Sequence, residues 1–471
     1  MLFNSLYFIF VFFPIVTFGY FMLPWKWRWF WLLAASCLFY MFFVPKYILI
    51  LAVTILIDYV AGRVMESCRP ERRRMFLVMS IVSNLGMLFF FKYFNFFSEN
   101  LHQAAEALGW NMPIPYLSII LPIGLSFHTF QSLSYVIEVY RGRQKAERHL
   151  GIFALYVMFY PQLVAGPIER PQNLLPQFHE RHDFDYAKFV SGLQLVMWGL
   201  FKKTVVADRA AVFVNQIYGN LSAYHGSHYL LATVLFAFQI YGDFSGYSDI
   251  ARGLARTMGF ELMRNFRAPY LAASISEFWQ RWHISLSSWF RDYVYISLGG
   301  NRVSQSRNYF NLFVTFLLSG LWHGANWTYV IWGSLNGLYL IAQKYLGERF
   351  RVRVAHVWAV AVNFVLVCLT WVFFRAASLS DAMRVLSSIA REGLDWAALR
   401  PYVLSNSMHL TLVAVFIGLL CFCDWLAFGG GAVRFKPMRP LIWRPALTVL
   451  ALTAVLIFGR FANTQFIYFQ F

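Results

Sequence analysis

Long apolar runs alternate with short basic ones along this chain. The apolar segments fall near residues 6–23, 30–44, 46–62, 76–97, 117–139, 189–207, 229–246, 308–323, 327–343, 357–374, 409–427 and 446–462. A helix needs about 20 apolar residues to cross a bilayer core of about 30 Å. These segments therefore predict a bundle of helices, some short enough to tilt, bend or stop partway. Two stretches break the pattern. Residues 150–187 contain Pro161, Gly166, Pro167, Pro171 and Pro176. Proline removes a helix hydrogen bond and clashes with the preceding turn, so this stretch reads as re-entrant or interfacial. Residues 247–307 carry eight arginines and four acids among many aromatics. Irregular backbone survives at membrane depth only inside protein or beside a wet cavity, so 247–307 is expected to be a re-entrant cavity segment.

Composition sharpens the class. The chain is 59% hydrophobic and 13% charged, against about 45–50% and about 25% in soluble domains. Disorder, a coiled coil and an ordinary cytosolic enzyme are excluded. The expected fold is an all-α polytopic integral membrane protein. It has about 10–12 transmembrane helices, plus re-entrant or interfacial helices around a central cavity, in one membrane-embedded domain over residues 1–471. Met1–Leu23 lacks a basic n-region and a small-residue cleavage site, so it reads as a retained first helix. Phe89–Phe97 reads as a lipid-facing helix end.

Charge sets the orientation. Lys+Arg 40 against Asp+Glu 22 gives +18, which on a soluble protein would suggest nucleic acid. Here the basic residues cluster in short loops: Lys26 and Arg28; Arg63, Arg69, Arg72, Arg73 and Arg74; Arg141, Arg143, Lys145 and Arg148; Lys344, Arg349, Arg351 and Arg353; Arg434, Lys436, Arg439 and Arg444. Cytoplasmic loops collect Lys and Arg. One alternating path puts all five clusters inside, both termini outside and residues 375–408 in a small outside loop. No nucleic-acid partner is needed. Such an inner face also suits an acidic, phosphorylated donor. Lys202 and Lys203 interrupt segment 189–207, which suggests that it lies along the interface.

Ionisable groups inside apolar segments are the default functional candidates, because each is costly there. Asn311, Thr315, Ser319 and His323 recur every four residues. A step of four on a helix of 3.6 residues per turn drifts only about 40°, so they form one polar stripe ending in an imidazole. The stripe reads either as the wall of a wet channel or as hydrogen-bonding glue between helices. His323 lies about 24 Å along a straight helix from Arg307, in the outer half of the core. A second candidate is His283. Phe278, Trp282, Leu286, Trp289 and Tyr293 make one helical stripe, with Trp279, His283, Ser287 and Phe290 beside it. A helix apolar around most of its girth packs inside protein, where a histidine is commonly a satisfied core residue. Arg281, Arg291 and Asp292 nearby would need buried partners. Asp243 and Asp249 flank a polar break that reads as a helix cap and turn, with a weaker cavity-loop role.

Familiar catalytic motifs are missing: no P-loop, no HExxH, no GxSxG elbow. The cysteines number five, mostly in apolar stretches, and suggest neither a disulfide framework nor zinc. His179 and His182 form one HxxH without further ligands nearby, so no metal site is expected.

Several blocks together resemble the membrane-bound O-acyltransferase family, and within it the bacterial polysaccharide branch of the alginate O-acetylase type. They are Leu2–Ser5, Tyr160–Ile168, Tyr241–Ile250, Glu277–Asn301, Ser319–Ala325 and Phe466–Phe471. A lone WHG is weak, but an RWHISL block followed forty residues later by SGLWHGA is specific. The resemblance implies a membrane enzyme moving acyl groups from a thioester to a hydroxyl. The family's hallmark histidine maps onto His323 and the other histidine of the motif pair onto His283. It further implies acetyl-CoA as a cytoplasmic donor substrate with no permanently bound cofactor. Periplasmic acetyltransferase partner proteins, an exported polysaccharide as final acceptor, and a bacterial inner membrane with both termini periplasmic complete the expectation. The chemistry is compatible. A neutral imidazole, of reference pKa about 6.5, can take the hydroxyl proton near pH 7, and an apolar chamber excludes water. An acyl-histidine relay is the variant. Trp322 is assigned to the chamber wall, Asp249 to the cavity loop, and Arg281 and Asp292 to support by position alone. A transporter lined by the polar stripe, or an export-complex scaffold with structural histidines, are the alternatives.

Overall fold

The computed structural model describes residues 1–110, 115–118, 121–349, 355–428, 440–461 and 466–467. Arg351, Arg353, Arg434, Lys436 and Arg439 of the basic clusters lie outside the described residues, as do residues 468–471 of the last motif and the side chains of Arg349 and Arg444. Among the described residues the regular structure is entirely helical, and all twelve apolar segments are helical over most of their length. Four helical stretches have both the length and the hydropathy of a bilayer crossing: Pro45–Ser67, Pro70–Ala107, His356–Arg375 and Ser407–Phe428. The others are shorter or diluted by polar groups that face inward.

The chain divides into two compact units. The first comprises Met1–Leu193 and Ala251–Met263. Its helices are α1 (Phe13–Met22), α2 (Trp25–Met41), α3 (Ile48–Ser67), α4 (Pro70–Leu88), α5 (Phe94–Ala107), α6 (Leu125–Tyr140), α7 (Leu150–Met158) and α8 (Pro171–His179). Proline opens α4 and α8 at a first-turn position where no N–H is missed. A π-helical turn, Phe89–Tyr93, joins α4 to α5, and Phe89, Phe90 and Phe97 around it are exposed. Asp58 of α3 is fully buried and is met by Ser80 Oγ at 2.6 Å and Asn84 Nδ2 at 2.9 Å, both on α4. The proline-bearing stretch expected to be irregular is a short helix α7, then an irregular buried run, then α8. Its backbone is satisfied locally: Tyr156 OH donates to Glu169 O at 3.0 Å, and Gln162 Nε2 to Tyr156 O at 2.9 Å. Protein surroundings are what permit such backbone in a membrane protein.

The second unit comprises Gln194–Ile250 and Arg264–Phe471. Between α9 (Tyr186–Leu200) and α10 (Asp208–Tyr218) lies a π-helical segment, Phe201–Ala207. Lys202 and Lys203 on it are buried, not interfacial as their charge suggested. The reason is pairing: Lys202 Nζ lies 2.5 Å from Asp249, and Lys203 Nζ lies 2.9 Å from Asp208 and 2.5 Å from Asp243. The same pairs overturn the expected cap and turn at Asp243–Asp249. α11 (Gly226–Thr257) runs straight through both residues as one 32-residue helix. Its glycines allow the close approach, since a Cβ at Gly246 would meet Gly199 O at 2.7 Å.

The rest of this unit holds α12 (Ile275–Arg281), α13 (Ile284–Phe290), α14 (Gln305–His323), α15 (Trp327–Arg349), α16 (His356–Arg375), α17 (Leu379–Glu392), α18 (Trp396–Ser405), α19 (Ser407–Phe428) and α20 (Pro440–Phe458). α14 and α15 pack backbone to backbone: a Cβ on Gly320 would sit 2.3 Å from Tyr329 O, and one on Gly333 2.4 Å from Phe316 O. Small residues at such a seam let dispersion contacts replace the missing hydrophobic drive between membrane helices. Residues 375–408, read as a loop, contain α17 and α18. Ser378 caps α17 by accepting Asp381 N–H at 3.1 Å.

Candidate active site

The expected single helix through Glu277–Tyr293 is broken at its histidine. Ser274 Oγ accepts Glu277 N–H to start α12, and Glu277 reaches back to Ala273 N–H at 2.7 Å, a near relative of the capping box. The helix stops at Arg281. His283 then takes φ 44° and ψ 52°, a left-handed conformation unusual for a side chain with a Cβ, and α13 begins after it. Such strain of order 1–3 kcal/mol persists only where the surroundings over-determine it. Here they do. Ile284 N–H donates to Asn265 O at 2.9 Å, and Asn265 Oδ1 receives Ser285 N–H at 3.1 Å and Ser285 Oγ at 2.9 Å.

Asn265 also faces the imidazole, with His283 Nδ1 3.1 Å from Asn265 Oδ1. Because that oxygen already accepts a backbone N–H, the neutral ring must donate from Nδ1. Its lone pair is then at Nε2. Asn265 is in turn fixed by donating Nδ2 to Ser248 Oγ at 3.2 Å. Sequence reading missed Asn265, which sits among polar neighbours in an irregular run with no periodicity to mark it.

The turn at His283 brings it beside His323, the last residue of α14. The ring centroids are 6.5 Å apart, and the side chains are 1% and 4% exposed. Aromatic rings enclose the pair. His323 meets Trp322 at 5.0 Å, Trp332 at 4.9 Å and Phe374 at 5.4 Å, each edge-on. His283 meets Phe244 at 4.5 Å and Trp322 at 6.2 Å. Edge-to-face packing of this kind suits a ring edge against a π face. Trp322 stands next to both imidazoles.

The remaining candidates divide. Asn311, Thr315 and Ser319 are buried on α14 on the same side as His323. The lower stripe acts as glue: Asn311 Nδ2 donates to Gly300 O at 3.1 Å and Thr315 Oγ1 to Asn311 O at 2.6 Å. Ser319, one turn below His323, is left nearest the imidazole. Arg281 pairs with Glu277 at 2.5 Å, Asp292 accepts from Arg291 at 2.8 Å, and Asp249 holds Lys202. Each of the three has an oppositely charged partner. His179 and His182 turn to separate partners, Glu147 and Gln177 O. Among the described residues no three His, Cys, Asp or Glu side chains gather to hold a metal ion.

Two buried imidazoles 6.5 Å apart among aromatic rings suit one class of protein, a membrane enzyme that moves protons or acyl groups out of contact with water. Comparison with known proteins makes this specific. Residues 149–380 match the membrane-bound O-acyltransferase family. The chain is 36% identical over 524 residues to Probable alginate O-acetylase AlgI of Pseudomonas aeruginosa, covering 100% of both chains. It is 35% identical over 434 residues to a peptidoglycan O-acetyltransferase of Helicobacter pylori, covering 85% of this chain and 81% of that one. A teichoic acid D-alanyltransferase of Streptococcus thermophilus is 30% identical over 240 residues, 48% of this chain and 57% of that one. The chain belongs to the membrane-bound O-acyltransferase family. It is an O-acyltransferase, and the transporter and scaffold alternatives fall away.

Proposed function

We propose that this enzyme transfers acetyl from acetyl-CoA, presented from the cytoplasmic side of a bacterial inner membrane, for O-acetylation of an exported polysaccharide. Alginate is the acceptor its relatives favour. His323 is the general base. Its imidazole takes the acceptor hydroxyl proton while that oxygen bonds to the thioester carbonyl carbon. The carbon–sulfur bond then breaks, and the departing thiolate takes the proton from the imidazolium. His283, with its lone pair at Nε2, holds the reacting group from the other side. The aromatic walls keep out water that would hydrolyse the acetyl group. A periplasmic acetyltransferase partner completes delivery to the polymer, and both ends of the chain lie on the periplasmic side. The observation that carries the reading is the pair of buried imidazoles, 6.5 Å apart in an aromatic enclosure.

The test is direct. The full chain in detergent is given radiolabelled acetyl-CoA and a periplasmic partner, and CoA release is followed. Wild type releases CoA and His323→Ala does not. Unchanged turnover in that variant would falsify the base assignment. Label appearing on peptidoglycan fragments but not on alginate would move the acceptor.

A further inference from the structure

The first unit contains a cavity of about 200 Å³ where α1 turns into α2. Its lining residues lie far in sequence from His283 and His323. One wall is apolar, with Trp29 and Leu32 from α2 and Ile152 and Leu155 from α7. The other side is basic, with Lys26 and Arg28.

Arg28 is the unusual member. It is 8% exposed. Its guanidinium donates to three carbonyls, Leu23 O at 3.0 Å, His182 O at 2.6 Å and Phe21 O at 3.4 Å, and lies over the Tyr20 ring at 5.0 Å and the Phe21 ring at 5.7 Å. The carboxylates around it are committed or turned elsewhere. Glu147 is bonded to His179 at 2.8 Å and Asp183 to Arg181 at 2.9 Å. Glu180 lines the cavity, yet among the described residues neither it nor any other carboxylate reaches ion-pair distance of Arg28 or Lys26. A buried cation is ordinarily met by a counter-charge, because carbonyl dipoles offset only part of its desolvation. Lys26 is exposed at the mouth and has three donors to offer. Trp25 and Trp27 flank it, 45% and 61% exposed, the pairing of indole and ammonium that marks a bilayer–water boundary.

We propose that this cavity binds the headgroup of an anionic phospholipid. The phosphate sits against Lys26 and Arg28, and the first chain methylenes lie along Trp29, Leu32 and Ile152. The lining supports a lipid over a soluble nucleotide: Lys26 and Arg28 stand beside an apolar wall of Trp29, Leu32, Ile152 and Leu155, with exposed Trp25 and Trp27 at the edge, the juxtaposition of charge and apolar surface that a phospholipid presents.

The experiment uses the full chain in nanodiscs of mixed phosphatidylcholine and phosphatidylglycerol, released into detergent for native mass spectrometry. Wild type keeps one phosphatidylglycerol through a wash that strips phosphatidylcholine. Lys26→Glu, on an exposed residue and so expected to fold, lowers retention about thirtyfold, since it changes the charge by two units at about 1 kcal/mol each. Arg28→Gln lowers it too. Lys46→Glu, an exposed lysine outside the cavity, leaves it unchanged. Equal retention of both lipids, wild-type retention in Lys26→Glu, or displacement of the lipid by millimolar inorganic phosphate or CoA would each overturn the proposal.

Discussion

Two buried polar sites in the second unit make opposite use of the same resource. Lys202 and Lys203 each have carboxylates within 3 Å: Asp249 for one, Asp208 and Asp243 for the other. His283 and His323 lie against aromatic rings, and His283 faces Asn265. Ions inside a protein are affordable only when paired, and once paired they are locked. An imidazole enters neutral, needs no counter-charge and stays able to take a proton. Buried charge here ties α11 to the segment before α10, while the imidazoles are held by rings and one amide.

That contrast can be broken by substitution. The largest effect is expected from His323→Ala. Turnover should fall by about 10²–10⁴-fold, the usual share of a general base, with little change in thermal unfolding. A comparable fall in unfolding temperature would make His323 a structural residue like the lysines. Lys203→Met should do the reverse. It strands Asp208 and Asp243 without their cation and should destabilise the fold by about 3–5 kcal/mol, read as lost folded yield and a lower unfolding temperature. A silent Lys203→Met would show that this network is not what holds α11 in place.

Asn265→Ala sits between the two cases. It removes the acceptor for His283 Nδ1 and for Ser285 N–H, which should cost about 1–3 kcal/mol. Because it acts through His283, it should lower kcat more than KM. An equal fall in stability with kcat intact would make it a purely structural bond.

The smallest effect concerns pH, outside the membrane-spanning helices. Glu392 at the end of α17 accepts Gly226 N–H at 2.6 Å and Ser388 Oγ–H at 3.0 Å. The Gly226 bond is the main reason its carboxyl titrates below the ordinary value of 4.5. A lowered carboxyl stabilises the fold above its unfolded value and loses that contribution as pH falls through the folded one. The protection factor of the Gly226 amide, taken against the intrinsic exchange rate at each pH, should thus fall below pH 4.5 and change little with pH in Glu392→Gln. A protection factor that stays constant in wild type would remove this contact as a contributor.

Much of the architecture was legible beforehand. Apolar runs located the helices because each must cover a lipid-facing or inward-facing surface at a 3.6-residue period. The same period put Asn311, Thr315, Ser319 and His323 on one side of α14. It misled at two places. Asp243–Asp249 looked like a cap and turn, since polar residues and glycine favour turns locally. Its carboxylates instead meet Lys202 and Lys203, some forty residues earlier in the chain. Residues 277–293 looked like one helix, and nothing in their periodicity marks the left-handed residue at His283.

By itself the sequence determined the membrane class, the order of helices and the imidazole at the end of α14, because hydropathy and helical period act between residues a few positions apart. Only the tertiary structure decided that His283 breaks its helix, that Asn265 sets its tautomer, and that its ring stands 6.5 Å from His323. Those facts depend on contacts between residues far apart along the chain, which packing fixes and local pattern does not encode.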